Sequence, residues 1–459
     1  MIPKYISKDI NGPFVNSIKK NSNITTKNNI NIIHQITSEI NGYNQIKLSS
    51  SPSYVEILRK NKDDNDDIIY KDEYKNLSKT KCLIDTLSNN IKWDKAKIVI
   101  NPYELVYISK FKNGITNFNP VSRSFFKMWE LLNRFNIFDN NNGINIACLA
   151  EGPGGFVEAI INYRMMKNNG YCLDNINGIT LKKGKAPLWD PLIKKFGNKN
   201  INLRLGYGDL YNPKSIRAFC KNISGNIHIV TADGGFNYSS DYNNQEKQSY
   251  RIIFNEVLTA LTLQKKGGIF ICKIFDIFQR FTVELLYILY CLYDEIHIVK
   301  LQTSRVANSE KYLVAKGFNF IGPALLENLY NISKNWSDDI IGFSGINVPQ
   351  EFINELGKIN RNYVNKQIDS IKKTIDFAKR TDIFYPFKNE IDIINSDNNN
   401  EHFKKKYWNN KFKNKKKKAK NKFNKHLFNK EHVKKAIQWC IDYDMPINKD
   451  SIYLDNNSY

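Results

Sequence analysis

From Ile98 onward, apolar and polar positions fall into a regular order. Short apolar runs that read as strands recur at GINIACLA (Gly143 to Ala150), GITL (Gly178 to Leu181), NLRLGYG (Asn202 to Gly208) and IHIVTAD (Ile227 to Asp233). They continue at GIFICKIF (Gly268 to Phe275), EIHIVK (Glu295 to Lys300) and EKYLVAKGF (Glu310 to Phe318). Helical stretches separate most of them, VEAIINYRMM after the first among them. An amphipathic helix beginning near Ser122 precedes the first strand and carries Phe125, Phe126, Trp129, Leu132 and Phe135 at helical spacing, with Lys127 on another side. This alternation predicts an α/β fold, a doubly wound, mostly parallel sheet of seven strands with ligands at the carboxyl ends of the strands. The last two strands are closely spaced, which predicts an antiparallel pair at one edge.

The flanks lack this order. Residues 1–80 are rich in Asn, Ser, Lys and Ile, with an acidic patch from Asp63 to Asp67, and read as an N-terminal extension with a few short elements. The α/β domain is expected over 81–330, a helical segment packing on or following it over 331–385, and a lysine-rich linker over 386–459 that ends in a short helix near Glu431 to Tyr443. The lysine run from Lys404 to Lys425, interleaved with Tyr407, Trp408, Phe412 and Phe423, suits an RNA backbone with rings stacked on bases. A solvated low-complexity arm fits it equally well.

The chain has 459 residues, 41% of them hydrophobic, enough for a sizeable core. Its 68 basic against 45 acidic residues give a net charge of +23, which favours a polyanionic partner, nucleic acid first. A coding bias toward Lys, Asn and Ile explains such a surplus too, so charge alone decides little. The seven cysteines are an odd number without a CxxC pair, which points to free thiols in a reducing compartment and to neither a disulfide framework nor a zinc site. No metal is expected. The opening MIPKYISKDINGPF lacks the apolar core of a signal peptide, and the longest apolar stretch, Phe281 to Tyr293, is broken by Glu284 and too short to span a bilayer. The expectation is a soluble intracellular protein.

The loop EGPGGF (Glu151 to Phe156) lies where a strand passes into a helix, and its glycines let backbone N–H groups approach a ligand. A dinucleotide site is disfavoured, because the spacing is not GxGxxG and Pro153 stiffens the turn. Glu151 repels a pyrophosphate yet attracts an ammonium such as the methionine moiety of S-adenosylmethionine (SAM) presents. Asp209, in GDLYNP at the end of another strand, is placed to accept from an adenine amino group, or to cap a helix.

Two lysines and two acids occur in the order Lys127, Asp233, Lys273, Glu310, on the early helix or at strand ends. Methyl transfer from a sulfonium to a ribose hydroxyl needs a base and strict orientation, because the hydroxyl is too weak an acid to ionise unaided. Lys273, at the mouth of a buried strand, is expected to have its pKa lowered by desolvation and by Lys127, and to act as the base. Asp233 and Glu310 then position it, and Lys127 tunes it and holds the ribose.

LAEGPGGF, GITLK, GDLYNPKSI, TADGGF, GGIFICKIFD and SRVANSEKYLVAKG together closely resemble the FtsJ-like (RrmJ-type) SAM-dependent ribose 2′-O-methyltransferases, in particular the cap-specific mRNA enzymes, over about Asn101 to Phe318. The resemblance implies a Rossmann-like fold, SAM as cofactor, and methylation of the cap-proximal nucleotide of m7G-capped mRNA by a Lys-Asp-Lys-Glu tetrad on Lys127, Asp233, Lys273 and Glu310. It implies SAM contacts at Ser122, Glu151, Gly152, Pro153, Gly154, Gly155, Phe156, Asp209, Leu210 and Asp233, and substrate contacts at Asn243, Asn244, Gln245 and Asn308. Ser122 stands where the similar cellular enzymes carry Asn. NPYE (Asn101 to Glu104) also matches, but the basic cluster expected just before it is reduced to Lys95 and Lys97. The Asn/Lys/Ile bias suits an AT-rich genome, a large DNA virus among the candidates, with action in the cytoplasm, a viral factory or a virion, and in the nucleus for a cellular enzyme. Two alternatives stay open: ribose methylation of ribosomal or transfer RNA, and a non-catalytic RNA-binding subunit of a capping or transcription complex.

Overall fold

The computed structural model describes residues 15–19, 55–59, 67–87, 90–108, 114–138, 142–184, 186–197, 199–223, 226–235, 242–380 and 428–454. The lysine run Lys404 to Lys425 lies outside them. The chain divides into two compact units, one of residues 1–79 and 120–367, the other of 80–119 and 368–459.

The first unit is built on one eight-stranded sheet and also holds a two-stranded antiparallel one. The strands of the larger sheet are β1 (Val15–Lys19), β3 (Asn145–Leu149), β4 (Asn175–Thr180), β5 (Asn202–Tyr207), β6 (Ile227–Ala232), β7 (Gln264–Ile274), β8 (Tyr293–Val299) and β9 (Lys311–Phe318); the smaller is formed by β2 (Glu56–Arg59) and β10 (Ile340–Ser344). The order across the sheet is β1-β8-β9-β7-β6-β3-β4-β5. β3 to β7 run parallel. The last two of the seven expected strands form the antiparallel pair at one edge, with β9 inserted between β7 and β8 and antiparallel to both. β1, from the segment expected to be mostly irregular, adds an eighth strand antiparallel to β8.

The central strands are apolar on both faces, as a parallel sheet covered by helices requires: Ile146 to Leu149, Ile229 and Val230, and Phe270 to Cys272 are buried. Helices Gly155–Lys167, Asp190–Phe196, Pro213–Asn222, Tyr250–Leu263 and Arg280–Leu292 connect successive strands. The largest apolar stretch of the sequence is the last of these helices, with Phe281 stacked on Tyr250 (centroids 4.3 Å apart) and on Phe343 (5.0 Å). No helix among the described residues is long and apolar enough to cross a membrane.

The second unit contains NPYE. Glu104–Val106 is a single 3-10 turn, and the buried Asn101 donates to the Glu104 carboxylate at 2.9 Å. The helix Lys430–Asp442 and the segment after it close on this turn: His432 Nε2 lies 2.8 Å from the Val99 carbonyl, Asn117 N donates to Pro446 O at 2.7 Å, and Asn448 N to Ile115 O at 2.8 Å.

Candidate active site

Helix Ser124–Arg134 has two faces. Phe125, Phe126, Trp129 and Leu132 are buried, while Arg123, Lys127, Glu130 and Arg134 recur at the i, i+4, i+7 and i+11 spacing of one helical face. That polar face grips the segment before β9. The buried Glu130 carboxylate accepts from Gln302 N (2.8 Å), Thr303 N (3.1 Å) and Thr303 Oγ1 (3.0 Å), and Arg123 donates to Thr303 O at 3.1 Å. One turn away, Lys127 Nζ reaches Glu310 Oε2 at 2.6 Å.

Strand register sets the other half. Ala232 of β6 stands opposite Cys272 of β7, which puts Asp233 beside Lys273, and Lys273 pairs with Tyr312 of β9. Lys273 Nζ lies 3.2 Å from Asp233 Oδ1 and donates to the Asp233 carbonyl at 2.8 Å. Tyr312 Oη donates to the same Oδ1 at 2.9 Å, and Ser304 Oγ to Glu310 Oε1 at 2.8 Å. Lys127, Asp233, Lys273 and Glu310 therefore meet at the carboxyl edge of β6 and β7 as two adjoining ion pairs, with side chains 13–16% exposed.

Burial pushes the Glu310 carboxyl up, but Lys127, Lys273 and Lys300 outweigh it and bring it down to about 2. Lys273 departs from expectation. Burial lowers it, yet Asp233, Glu310 and the buried Glu256 together more than offset the desolvation, so it is raised above the ordinary lysine range. The raising effect comes first from Asp233, then from Glu310 and Glu256. Glu256, itself pushed up to about 8 chiefly by burial, accepts from Gly234 N at 3.0 Å and thereby braces the turn after Asp233.

The glycine loop follows β3. Ala150 takes a left-handed conformation (φ 54°), and Gly154 (φ 105°) caps the next helix, its N–H donating to Glu151 O at 2.7 Å. A side chain on Gly155 would strike the Ser122 and Ser124 hydroxyls, and one on Gly152 the Pro187 carbonyl. Glu151 is buried, its carboxylate oxygens make no hydrogen bond of ordinary geometry, and burial pushes its carboxyl well up, opposed by the neighbouring Thr231 hydroxyl and Cys148 thiol and reinforced by the charges of Asp233 and Glu256. A buried acid with so little compensation at the mouth of a turn stripped of side chains suits a ligand that brings hydrogen-bond donors or positive charge. Phe156, buried on the helix that follows, lies 5.8 Å from the Tyr312 ring and links loop to tetrad.

The remaining expected residues are more scattered. Ser122 Oγ is 2.7 Å from Ser124 Oγ, and Pro153 sits in the loop turn half-buried. Asp209 is exposed and accepts from Tyr211 N at 2.8 Å, while Asn212, not Asp209, caps the following helix; Leu210 beside it is buried. Asn243 and Asn244 lead into the short helix Gln245–Gln248, which the buried Glu246 carboxylate ties to Phe278 N (3.0 Å) and Gln279 N (3.0 Å). Asn308 is exposed on the loop before Glu310. That loop rests on two buried lysines absent from the sequence reading: Lys300 donates to the carbonyls of Asn308 (2.5 Å) and Glu310 (2.7 Å), and Lys311 to those of Ser309 (3.0 Å) and Phe275 (3.1 Å). Tyr312 was also missed, although the two-residue period of a strand places it on the face of Glu310.

A doubly wound sheet with a glycine-rich loop and a Lys-Asp-Lys-Glu tetrad at one carboxyl edge defines a Rossmann-like domain of the methyltransferase type. The FtsJ-like methyltransferase family matches residues 120–318, and the chain belongs to that family. It is 33% identical over 261 residues to the cap-specific mRNA (nucleoside-2′-O-)-methyltransferase 1 of Trypanosoma cruzi, covering 54% of this chain and 70% of that one. It is 31% identical to the mouse protein of the same name over 264 residues, covering 53% of this chain and 31% of that one, so the chain spans about a third of the length of its mammalian relatives. Among solved structures, a ribosomal RNA methyltransferase from Plasmodium falciparum is similar at 20% identity and a TM-score of 0.34, over 44% of this chain and 99% of that one.

Proposed function

We propose that the chain transfers a methyl group from SAM to the ribose 2′-hydroxyl of the cap-proximal nucleotide of m7G-capped mRNA. The observation that carries this reading is the meeting of Lys127, Asp233, Lys273 and Glu310 beside the Glu151 loop. SAM, when bound, supplies an electrophilic methyl group. Glu151 would take its ammonium or hydroxyl donors, Gly152 to Phe156 would form the floor, and Ser122, Asp209, Leu210 and Asp233 would complete the site. Asn243 to Gln245 and Asn308 would hold RNA.

In this reading Lys273 fixes the ribose oxygen and receives its proton. Because Asp233, Glu310 and Glu256 hold Lys273 charged, it becomes the base only after losing its own proton, so transfer rises with pH across the alkaline range. Lys127 anchors Glu310 and presents positive charge to the substrate.

The test is transfer of labelled methyl from SAM to short m7G-capped and uncapped RNAs, comparing wild type with Lys273→Ala and mapping the labelled ribose. Label at the first 2′-hydroxyl of capped RNA, lost in the variant, supports the reading. Label on uncapped structured RNA moves the substrate to ribosomal or transfer RNA, and binding without turnover makes the chain an RNA-binding subunit.

A further inference from the structure

The tetrad contains a fifth polar group that its four charges do not account for. Tyr312 is fully buried, and its hydroxyl donates to Asp233 Oδ1 at 2.9 Å. The same oxygen is the one 3.2 Å from Lys273 Nζ. Register places the two side chains together, since Tyr312 and Lys273 are direct partners across β9 and β7. The Tyr312 ring is also 6.0 Å from Lys127 Nζ and 5.8 Å from the Phe156 ring, so it lies beside both ion pairs and the helix of the glycine loop.

We propose that Tyr312 is a positioning residue for methyl transfer: its hydroxyl draws off part of the charge on the Asp233 carboxylate and so sets how firmly Asp233 holds Lys273. A carboxylate oxygen shared with a neutral donor offers less charge to an ammonium than one that is not shared. The groups facing this contact are Lys273 from β7, Asp233 from the end of β6, Glu310 and Lys127 from the second ion pair, Glu256 from helix Tyr250–Leu263 and Glu151 from the loop. Burial first, then the negative charges of Asp233, Glu310 and Glu151, push the Tyr312 phenol well up, so it remains a donor wherever the protein is folded. Loss of the hydroxyl leaves Asp233 Oδ1 still paired with Lys273, and no buried group is orphaned.

The inference rests on the methyl-transfer reading, and the test separates the two. Tyr312→Phe is compared with wild type in kcat, KM and the pH dependence of kcat, and the Lys273 titration midpoint is followed by NMR on protein carrying ¹³C-labelled lysine, its signal identified with Lys273→Met. Expected are a kcat lower by about tenfold, as loss of one charge-assisted hydrogen bond implies, KM values within about twofold, and a Lys273 midpoint and alkaline rise both displaced upward by about half a unit or more. An unmoved midpoint in folded Tyr312→Phe overturns the proposal, whatever happens to melting temperature. Should wild type transfer no methyl, the functional reading fails while the midpoint still decides the role of Tyr312.

Discussion

Replacing Glu310 by Gln isolates the charge of one tetrad member. In the folded protein its carboxyl lies at about 2 against an ordinary 4.5, burial being outweighed by Lys127, Lys273 and Lys300. At about 1.4 kcal/mol per unit, that depression corresponds to about 3 kcal/mol of stability, and the side chain is only 16% exposed, so solvent screening removes little of it. A lowered folded-state pKa contributes stability that is complete above the unfolded value and is lost as pH falls toward the folded one. Glu310→Gln should thus be about 3 kcal/mol less stable at pH 7 and at pH 6, with the gap closing between about pH 4.5 and pH 2. Urea unfolding followed by tryptophan fluorescence at pH 7, 6 and 3 measures it. An equal gap at pH 7 and pH 3 would refute the electrostatic account and assign the loss to the Lys127 and Ser304 hydrogen bonds alone.

Glu151→Gln should raise the melting temperature of the ligand-free protein, because it removes an acid whose charge burial opposes, while weakening SAM binding by about tenfold or more; thermal shift and calorimetry read the two separately. Gly155→Ala should destabilise the fold, since the added methyl meets the Ser122 and Ser124 hydroxyls and lies 2.9 Å from Phe125 N, and a melting temperature equal to wild type would count against the geometry of the turn. Lys300 is lowered to about 7, chiefly by burial, so the unfolded chain binds a proton there that the native one does not between about pH 7 and pH 10. Wild-type stability relative to Lys300→Met should rise across that window, as followed by urea midpoints.

Much of this site was legible because strand ends advertise themselves. TADGG and FICKIF each close an apolar run with a charged residue, which is enough to put Asp233 and Lys273 on the carboxyl edge. Lys127 was readable as the polar interruption of an aromatic helix. What escaped depends on register and burial. Tyr312 looks like one more apolar strand residue until it is set opposite Lys273. Lys300 ends EIHIVK like any solvent-facing lysine, and only the path of the next loop gives its ammonium two carbonyls. The direction of the Lys273 shift depends on how closely Asp233 and Glu310 approach it in space, with a further contribution from Glu256, a helical residue 17 positions away with no local sign that it lies beneath the site. β1 was unreadable for the opposite reason, since its pairing comes from an edge supplied by β8, far along the chain.

The reversed direction of β9 determines how the chain can change length without losing its chemistry. Parallel strands furnish this edge with their trailing residues, Asp233 and Lys273, whereas β9 brings Glu310 and Tyr312 in at its leading end. An insertion within Arg305 to Ala307 lengthens a loop and leaves the strand in phase. One extra residue between Glu310 and Tyr312 turns them to opposite sides of the sheet, separating the partner of Lys127 from the partner of Asp233. A change of length before Glu310 therefore acts on a loop, and one after it acts on the strand register itself.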